Sequence, residues 1–355
     1  LGIALGDQKK PVEAEAACRK AIELQPDDAL AYMNLGIALG DQKKPVEAEA
    51  AFRKAIDVRP DYAEAYYNLG AVLRDQKKPA EAEAAYRKAI ELQPDYAPAY
   101  YNLGIALGDQ KKPAEAEAAY RKAIELQPNY AEAQCNLGAV LRAKGQLTES
   151  LEAYRRGHAL GAARPGWGYP SAQWVRQAES LVAVDNKLAA IREGKEKPAN
   201  DAERLALARL CQQPFKKLYA ASSRFFTEAF ANDTKLADDM QKQHRYNAAC
   251  AATLAGCGQG NDADKLDDEE RTRLRNQAVA WLRADLAHWT KQAASDQLKE
   301  REAVQGTLKH WQVDTDFAGV RDKGSLDKLP ADEAKEWRRL WDDVAEVSKR
   351  AGEKN

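Results

Sequence analysis

The sequence predicts an all-α fold built from stacked helical hairpins, and three observations carry that prediction. Gly2, Gly36, Gly70, Gly104 and Gly138 recur at a step of 34 residues, and Pro26, Pro60, Pro94 and Pro128 keep the same step. Within each period the apolar residues follow helical spacing, and no stretch of the repeats alternates as a strand would. A fixed period of this length marks a repeat protein, whose units bury a continuous core only by stacking on their neighbours.

The units Ala63 to Tyr96 and Ala97 to Tyr130 differ at only five positions, Glu64/Pro98, Ala71/Ile105, Val72/Ala106, Arg74/Gly108 and Asp95/Asn129. Each begins with a helix whose apolar stripe is Tyr66, Leu69, Gly70 and Leu73 in the first of the two. Asp75-Gln76-Lys77-Lys78 has nothing to bury and breaks the pattern. Pro79 then suits the first turn of a second helix, where its missing N–H is not needed. Glu81 and Glu83 favour that positive helix start, and Glu83 stands four residues before Arg87, a stabilising pair. The second stripe is Ala82, Tyr86, Ala89 and Ile90. Gln93-Pro94-Asp95 stops the helix, because proline cannot continue the hydrogen-bond ladder. Gly70 and Ala82 matter for their size: they let two helix backbones approach while Tyr86 fills the space beside them.

Tyr32, Leu35, Gly36, Leu39, Ala48, Phe52, Ala55 and Pro60 fill every position of the tetratricopeptide-repeat pattern, and the next two units do likewise. The chain therefore resembles the tetratricopeptide-repeat family over residues 1 to 160. The fifth unit departs, with Gln134, Ser150 and Gly157 in three slots, and the first is truncated, beginning at Leu1 midway along its opening helix. The resemblance implies a right-handed α-solenoid of helix-turn-helix units, and it speaks to fold more than to function. A start without methionine inside a repeat marks the chain as an expected fragment.

In such arrays the first helix of each unit lines the concave face. That face would carry Asn34, Asn68, Asn102 and Asn136, one per repeat. An amide offers both donor and acceptor, so the row can hold the backbone of an extended peptide, with Tyr67 and Tyr101 as stacking surface and Arg74 and Arg142 as charged contacts. The row is similar to that of O-linked N-acetylglucosamine transferase repeat arms, where asparagines hold protein substrates. Equally, each asparagine can tie adjacent helices together, and both readings stand. A basic clamp for a terminal carboxylate is not expected, since the neighbouring positions are Met33, Tyr67, Tyr101 and Cys135, then Ile37, Ala71, Ile105 and Ala139.

Beyond Leu160, the turn-rich stretch from Gly161 to Pro170 opens a linker. Ser171 is placed to cap a helix through Trp174, Ala178, Leu181, Val182 and Leu188 that ends at Gly194 and Pro198, so residues 161 to 199 read as linker plus helix. Residues 200 to 300 read as divergent helical pairs. Ala208 and Cys211 sit as Gly104 and Leu107 do, and Ser222, Phe226 and Ala229 repeat the spacing of Ala116, Tyr120 and Ala123. Tyr246-Asn247-Ala248-Ala249 echoes Tyr101-Asn102-Leu103-Gly104. An acidic insertion then precedes a helix with Trp281, Leu282 and Leu286. Residues 301 to 355 read as a C-terminal helical cap, with Trp311, Phe317, Trp337, Leu340 and Trp341 as its aromatic core. The wording around Arg245 to Cys250, Ala280 to Trp289 and His310 to Asp322 resembles the C-terminal region of planctomycete proteins in which such repeats follow a serine/threonine kinase or another signalling module.

The charge balance, 54 basic against 55 acidic residues, lacks the basic stripe that nucleic acid requires. Lys77-Lys78 and Lys111-Lys112 read as solvated turn residues. No long apolar run points to a membrane. Five cysteines without a dense pattern fit a reducing compartment, so a cytoplasmic location is expected. Gly256-Cys257-Gly258-Gln259-Gly260 lacks the strand and lysine of a phosphate loop and reads as a helix-ending turn. His244-Arg245-Tyr246 and Asp316-Phe317-Ala318-Gly319 miss the kinase signatures. Cys250 and Cys257 read as buried thiols, and Asp267 to Glu270 as a helix start. No catalytic residue, cofactor, metal or small-molecule substrate is expected. The reading is a protein-interaction scaffold whose groove takes a peptide segment of another protein. The alternatives are a docking arm of a larger serine/threonine kinase, or the arm of a glycosyltransferase.

Overall fold

The computed structural model describes residues 10–353, and all of its regular elements are helical. The chain divides into two compact units, the first reaching Glu179 and the second starting at Ser180.

The first unit runs through α1 (Pro11–Leu24), α2 (Ala29–Asp41), α3 (Pro45–Val58), α4 (Ala63–Asp75), α5 (Pro79–Leu92), α6 (Ala97–Asp109), α7 (Pro113–Leu126), α8 (Ala131–Ala143) and α9 (Leu147–Ala162). Each helix packs on the next in the chain, so the hairpins pile up in sequence order. Proline begins α1, α3, α5 and α7, and Asp28 caps α2 by accepting the N–H of Leu30 and Ala31. The core is one continuous cluster that includes Leu35, Phe52, Leu69, Tyr86, Leu103, Tyr120, Leu137 and Ala153. The glycine of each Leu-Gly pair is the close-approach point. A Cβ on Gly36, Gly70 or Gly104 would lie 2.5–2.7 Å from a ring carbon of Phe52, Tyr86 or Tyr120.

The turn inside each hairpin demands a left-handed residue. Lys43, Lys77 and Lys111 adopt φ of 58°, 61° and 60°, and the fifth repeat puts Gly145 there at φ 81°. Glycine takes that conformation freely, whereas a side chain makes it costly. The other lysine of each turn stays partly solvated and is also paired, a contact the sequence does not announce. Lys78 Nζ reaches Glu49 at 3.2 Å and Lys112 Nζ reaches Glu83 at 2.9 Å, because the stacking brings the turn of one repeat beside the second helix of the repeat before it. The same glutamates accept from Gln76 and Gln110 and pair with Arg53 and Arg87. Each repeat is thereby clipped to the next by a partly shielded carboxylate holding three donors.

The fifth repeat compensates for its own departures. Gly157 stands where alanine is usual because a Cβ there would meet Cys135 Sγ at 2.5 Å. Ser150, in another alanine slot, donates its hydroxyl to the carbonyl of Gly138 at 2.7 Å. After α9, the helix α10 (Ser171–Arg192) begins as the sequence indicates. The Ser171 hydroxyl is engaged elsewhere: it accepts from Trp167 Nε1 and contacts His158 Nδ1, both at 2.9 Å.

The second unit contains α11 (Asp201–Cys211), α12 (Tyr219–Asn232), the short α13 (Lys235–Asp238), α14 (His244–Gly256), α15 (Asp268–Ala293), α16 (Leu298–Val313), two further single turns α17 (Ala318–Arg321) and α18 (Lys323–Leu326), and α19 (Ala331–Glu353). α11 with α12 and α14 with α15 are hairpins. Ser222 donates to the carbonyl of Ala208 at 2.9 Å, the bond that Ser150 makes to Gly138, which places α11 and α12 in the register of a repeat. Asp267 and Glu270 close a capping box at the start of α15. α19 packs on α15 and α16, and Trp311, Phe317, Trp337 and Leu340 are fully buried. Glu333 of α19 receives Arg275 of α15 through two bonds of 2.7 and 3.0 Å, a buried pair.

Candidate functional site

The candidate face is formed by α2, α4, α6 and α8, the first helix of each hairpin. Of the two rows of neighbouring positions, one turns inward. Met33 and Cys135 are buried, and Tyr67 and Tyr101 are half-buried against Tyr96 and Tyr130, with ring centroids 5.1 and 4.8 Å apart. Burial pushes the Cys135 thiol up to about 11, so it is protonated at neutral pH. The other row turns outward: Ile37 is 42% exposed, Ala139 is exposed, and Ala71 and Ile105 are half-buried.

The asparagine row is largely engaged within the stack. Asn102 is buried, its amide donates to the Tyr67 hydroxyl at 3.0 Å and to the Pro98 carbonyl at 3.1 Å, and its oxygen accepts from Arg74 at 2.8 Å. Asn136 donates to the Tyr101 hydroxyl at 3.3 Å. Asn68 donates to the Glu64 carbonyl at 2.9 Å and leans on Met33 Sδ at 3.8 Å. Through these bonds Asn68, Asn102 and Asn136 each reach the repeat before their own. What the amides keep for a ligand is the oxygen of Asn68 and of Asn136, neither of which accepts a side-chain hydrogen bond among the described residues. Asn34 is half-buried, with no such bond there either. Arg74 is spent on Asn102, whereas Arg142 is exposed and pairs with no carboxylate among the described residues.

An alternation that sequence reading did not use shapes this face. Ile-Ala-Leu-Gly in α2 and α6 trades with Ala-Val-Leu-Arg in α4 and α8. Gly40 and Gly108 have open space where a Cβ would be. Beside Gly108 lies an apolar hollow of about 350 Å³, lined by Gly108, Pro113, Ala139, Val140 and Ala143, with Lys111 at its edge. The signal was present in the five differences between the two best-matched units, which include Arg74/Gly108 and Ala71/Ile105.

Models of the tetratricopeptide-repeat family match residues 28–95, 61–129 and 101–165. Together these matches span residues 28–165. Among solved structures, the chain is similar to MamA (41 to the end) from Desulfovibrio magneticus RS-1, at 24% identity over 46% of this chain and 93% of that one, with a TM-score of 0.43. It is similar to PilF of Pseudomonas aeruginosa at 19% identity, 66% and 89% coverage and a TM-score of 0.42. It is also similar to the first tetratricopeptide domain of Spaghetti (RPAP3), solved bound to an HSP90 peptide, at 30% identity, 32% and 91% coverage and a TM-score of 0.32. No curated protein matches the chain. No helix among the described residues is long and apolar enough to cross a membrane.

Proposed function

We propose that the first unit is a protein-interaction scaffold that holds a peptide segment of a partner along the face of α2, α4, α6 and α8. The observation that carries this reading is the outward apolar row Ile37, Ala71, Ile105 and Ala139, which at Ala139 reaches an unfilled hollow beside Gly108; Arg142, about one turn further along α8, is exposed and pairs with no carboxylate among the described residues. Repeat arrays use such continuous faces for binding, since no single repeat offers enough area. An apolar anchor from the partner fills the hollow, an acidic group meets Arg142, and the spare oxygens of Asn68 and Asn136 accept backbone N–H groups. Tyr67 and Tyr101 contribute by fixing the amides, with Asn102 and Arg74 as a supporting bridge.

The test uses peptides selected from a random library on the full chain. Binding should fall at least about tenfold in Arg142→Glu and in Ala139→Asp, both exposed positions, because a buried apolar anchor or charged pair is worth more than about 1.4 kcal/mol. Melting should be unchanged. Selected peptides whose affinity ignores both substitutions would defeat the proposal.

A further inference from the structure

The second unit holds a hollow of about 250 Å³ lined by Tyr246, Asp285, Trp289, Gly306, Thr307 and Trp311 among others. It exists because α16 carries Gly306 in its interior. A Cβ at that position would meet nothing within 4 Å, so packing does not require the glycine, although it weakens the helix relative to alanine. The walls are aromatic. Tyr246 and Trp311 stack with centroids 5.4 Å apart. The indole N–H of Trp289 is buried without a hydrogen-bond partner among the described residues.

The hollow holds one carboxylate, Asp285. Asp285 is buried, and its Oδ1 accepts from Arg245 at 3.0 Å, while Oδ2 accepts no hydrogen bond among the described residues. Arg245 is shared with a second carboxylate, Asp238. Asp238 is exposed to solvent, so the guanidinium is shared between a surface carboxylate and the buried Asp285, which keeps one oxygen for the hollow. His310, at the margin, leans toward Asp314 at 3.4 Å. Burial raises the Asp285 carboxyl to about 6, against the pull of Arg245, so it is ionised at neutral pH.

Aromatic walls beside a carboxylate oxygen that no donor occupies are the chemistry that recognises a substituted ammonium: ring faces attract the cation, and apolar carbon replaces its weakly held water. We infer that this hollow binds the head of a small alkylated ammonium ion, with Asp285 as counter-charge and Tyr246, Trp289 and Trp311 as its cage. The volume lies below the roughly 300 Å³ at which drug-sized pockets begin, so the hollow takes a single head group. The unpartnered Trp289 N–H and the Thr307 hydroxyl would meet an acceptor next to that head. The ammonium could come from a free ion or from a methylated lysine side chain, which share this chemistry.

The experiment titrates the full chain at neutral pH by calorimetry and tryptophan fluorescence with choline, with the neutral carbon isostere of choline, and with a short trimethyl-lysine peptide. At least one cation should bind saturably and at least about tenfold tighter than the neutral isostere, the discrimination expected of a desolvated cation–π site. The tighter of the two names the source. Gly306→Leu should abolish binding while melting stays level or rises, and Asp285→Asn should weaken it by at least about tenfold. Absence of saturation by both cations, equal affinity for the neutral isostere, or retained binding in folded Gly306→Leu would overturn the inference. If Asp285→Asn fails to fold, Gly306→Leu decides.

Discussion

Gly104 and Gly108 lie four residues apart on α6, and adding one methyl group to each should move stability in opposite directions. A Cβ on Gly104 would sit 2.5 Å from Cε1 of Tyr120, and that ring is 4% exposed, so it has no free volume to move into. Overpacking of this kind costs about 1–3 kcal/mol. Replacing glycine by alanine within a helix gains about 0.5–1 kcal/mol, so Gly104→Ala should lose about 1 kcal/mol net. At Gly108 nothing lies within 4 Å. Only the helical gain remains there, at its lower end of about 0.5 kcal/mol because Asp109 closes the helix. Intrinsic propensity largely cancels between the two variants, and their difference of about 1–3 kcal/mol isolates the ring contact. Urea denaturation followed by circular dichroism reads it as two shifted midpoints. Equal shifts, or a stabilised Gly104→Ala, would refute the claim that glycine-on-ring contact sets the stacking distance.

Three further outcomes follow from the same contacts. Lys77→Gly and Lys111→Gly should each raise the melting temperature, by about 0.5 kcal/mol of stability, because relief of the left-handed strain slightly exceeds the entropy glycine adds to the unfolded chain. Glu83 is held at about 2: burial works to raise it, and the bonds from Lys112, Arg87 and Gln110 together outweigh that. Its folded value lies below its ordinary 4.5, so its contribution is complete above about pH 4.5 and disappears as pH falls toward 2; Glu83→Gln should flatten that part of the stability–pH curve measured by denaturation. Glu333→Ala leaves Arg275 buried and unpaired, which should cost about 3–5 kcal/mol and expose Trp311 and Trp337 to solvent at a lower denaturant concentration, seen in tryptophan fluorescence.

The repeat fold was legible because its determinants are local and recur. Gly70 with Tyr86, and Pro79 opening a helix, recur at the same offsets as Gly104 with Tyr120 and Pro113. The left-handed turn was legible only by aligning Gly145 with Lys43, Lys77 and Lys111, since lysine by itself does not announce a positive φ. The bridge from Glu83 to Gln110 and Lys112 spans neighbouring repeats, and no local spacing rule reports it. The asparagine row was found, but its engagement was not: whether Asn102 faces a peptide or Tyr67 depends on a rotamer and on the tyrosine of the preceding repeat. In the second unit, Ser222 and Ala208 preserved enough of the repeat spacing to place a hairpin. The hollow was invisible, because Tyr246, Asp285 and Gly306 come from three helices whose packing no period encodes.

The proposed docking face is formed by α2, α4, α6 and α8. Its most direct measurement is photo-crosslinking of a selected peptide to the full chain, with attachment sites mapped by mass spectrometry. Crosslinks should fall around Ile37, Ile105, Ala139 and Arg142. Crosslinks confined to the second helices, around the exposed Val12 and Val46, would contradict the account.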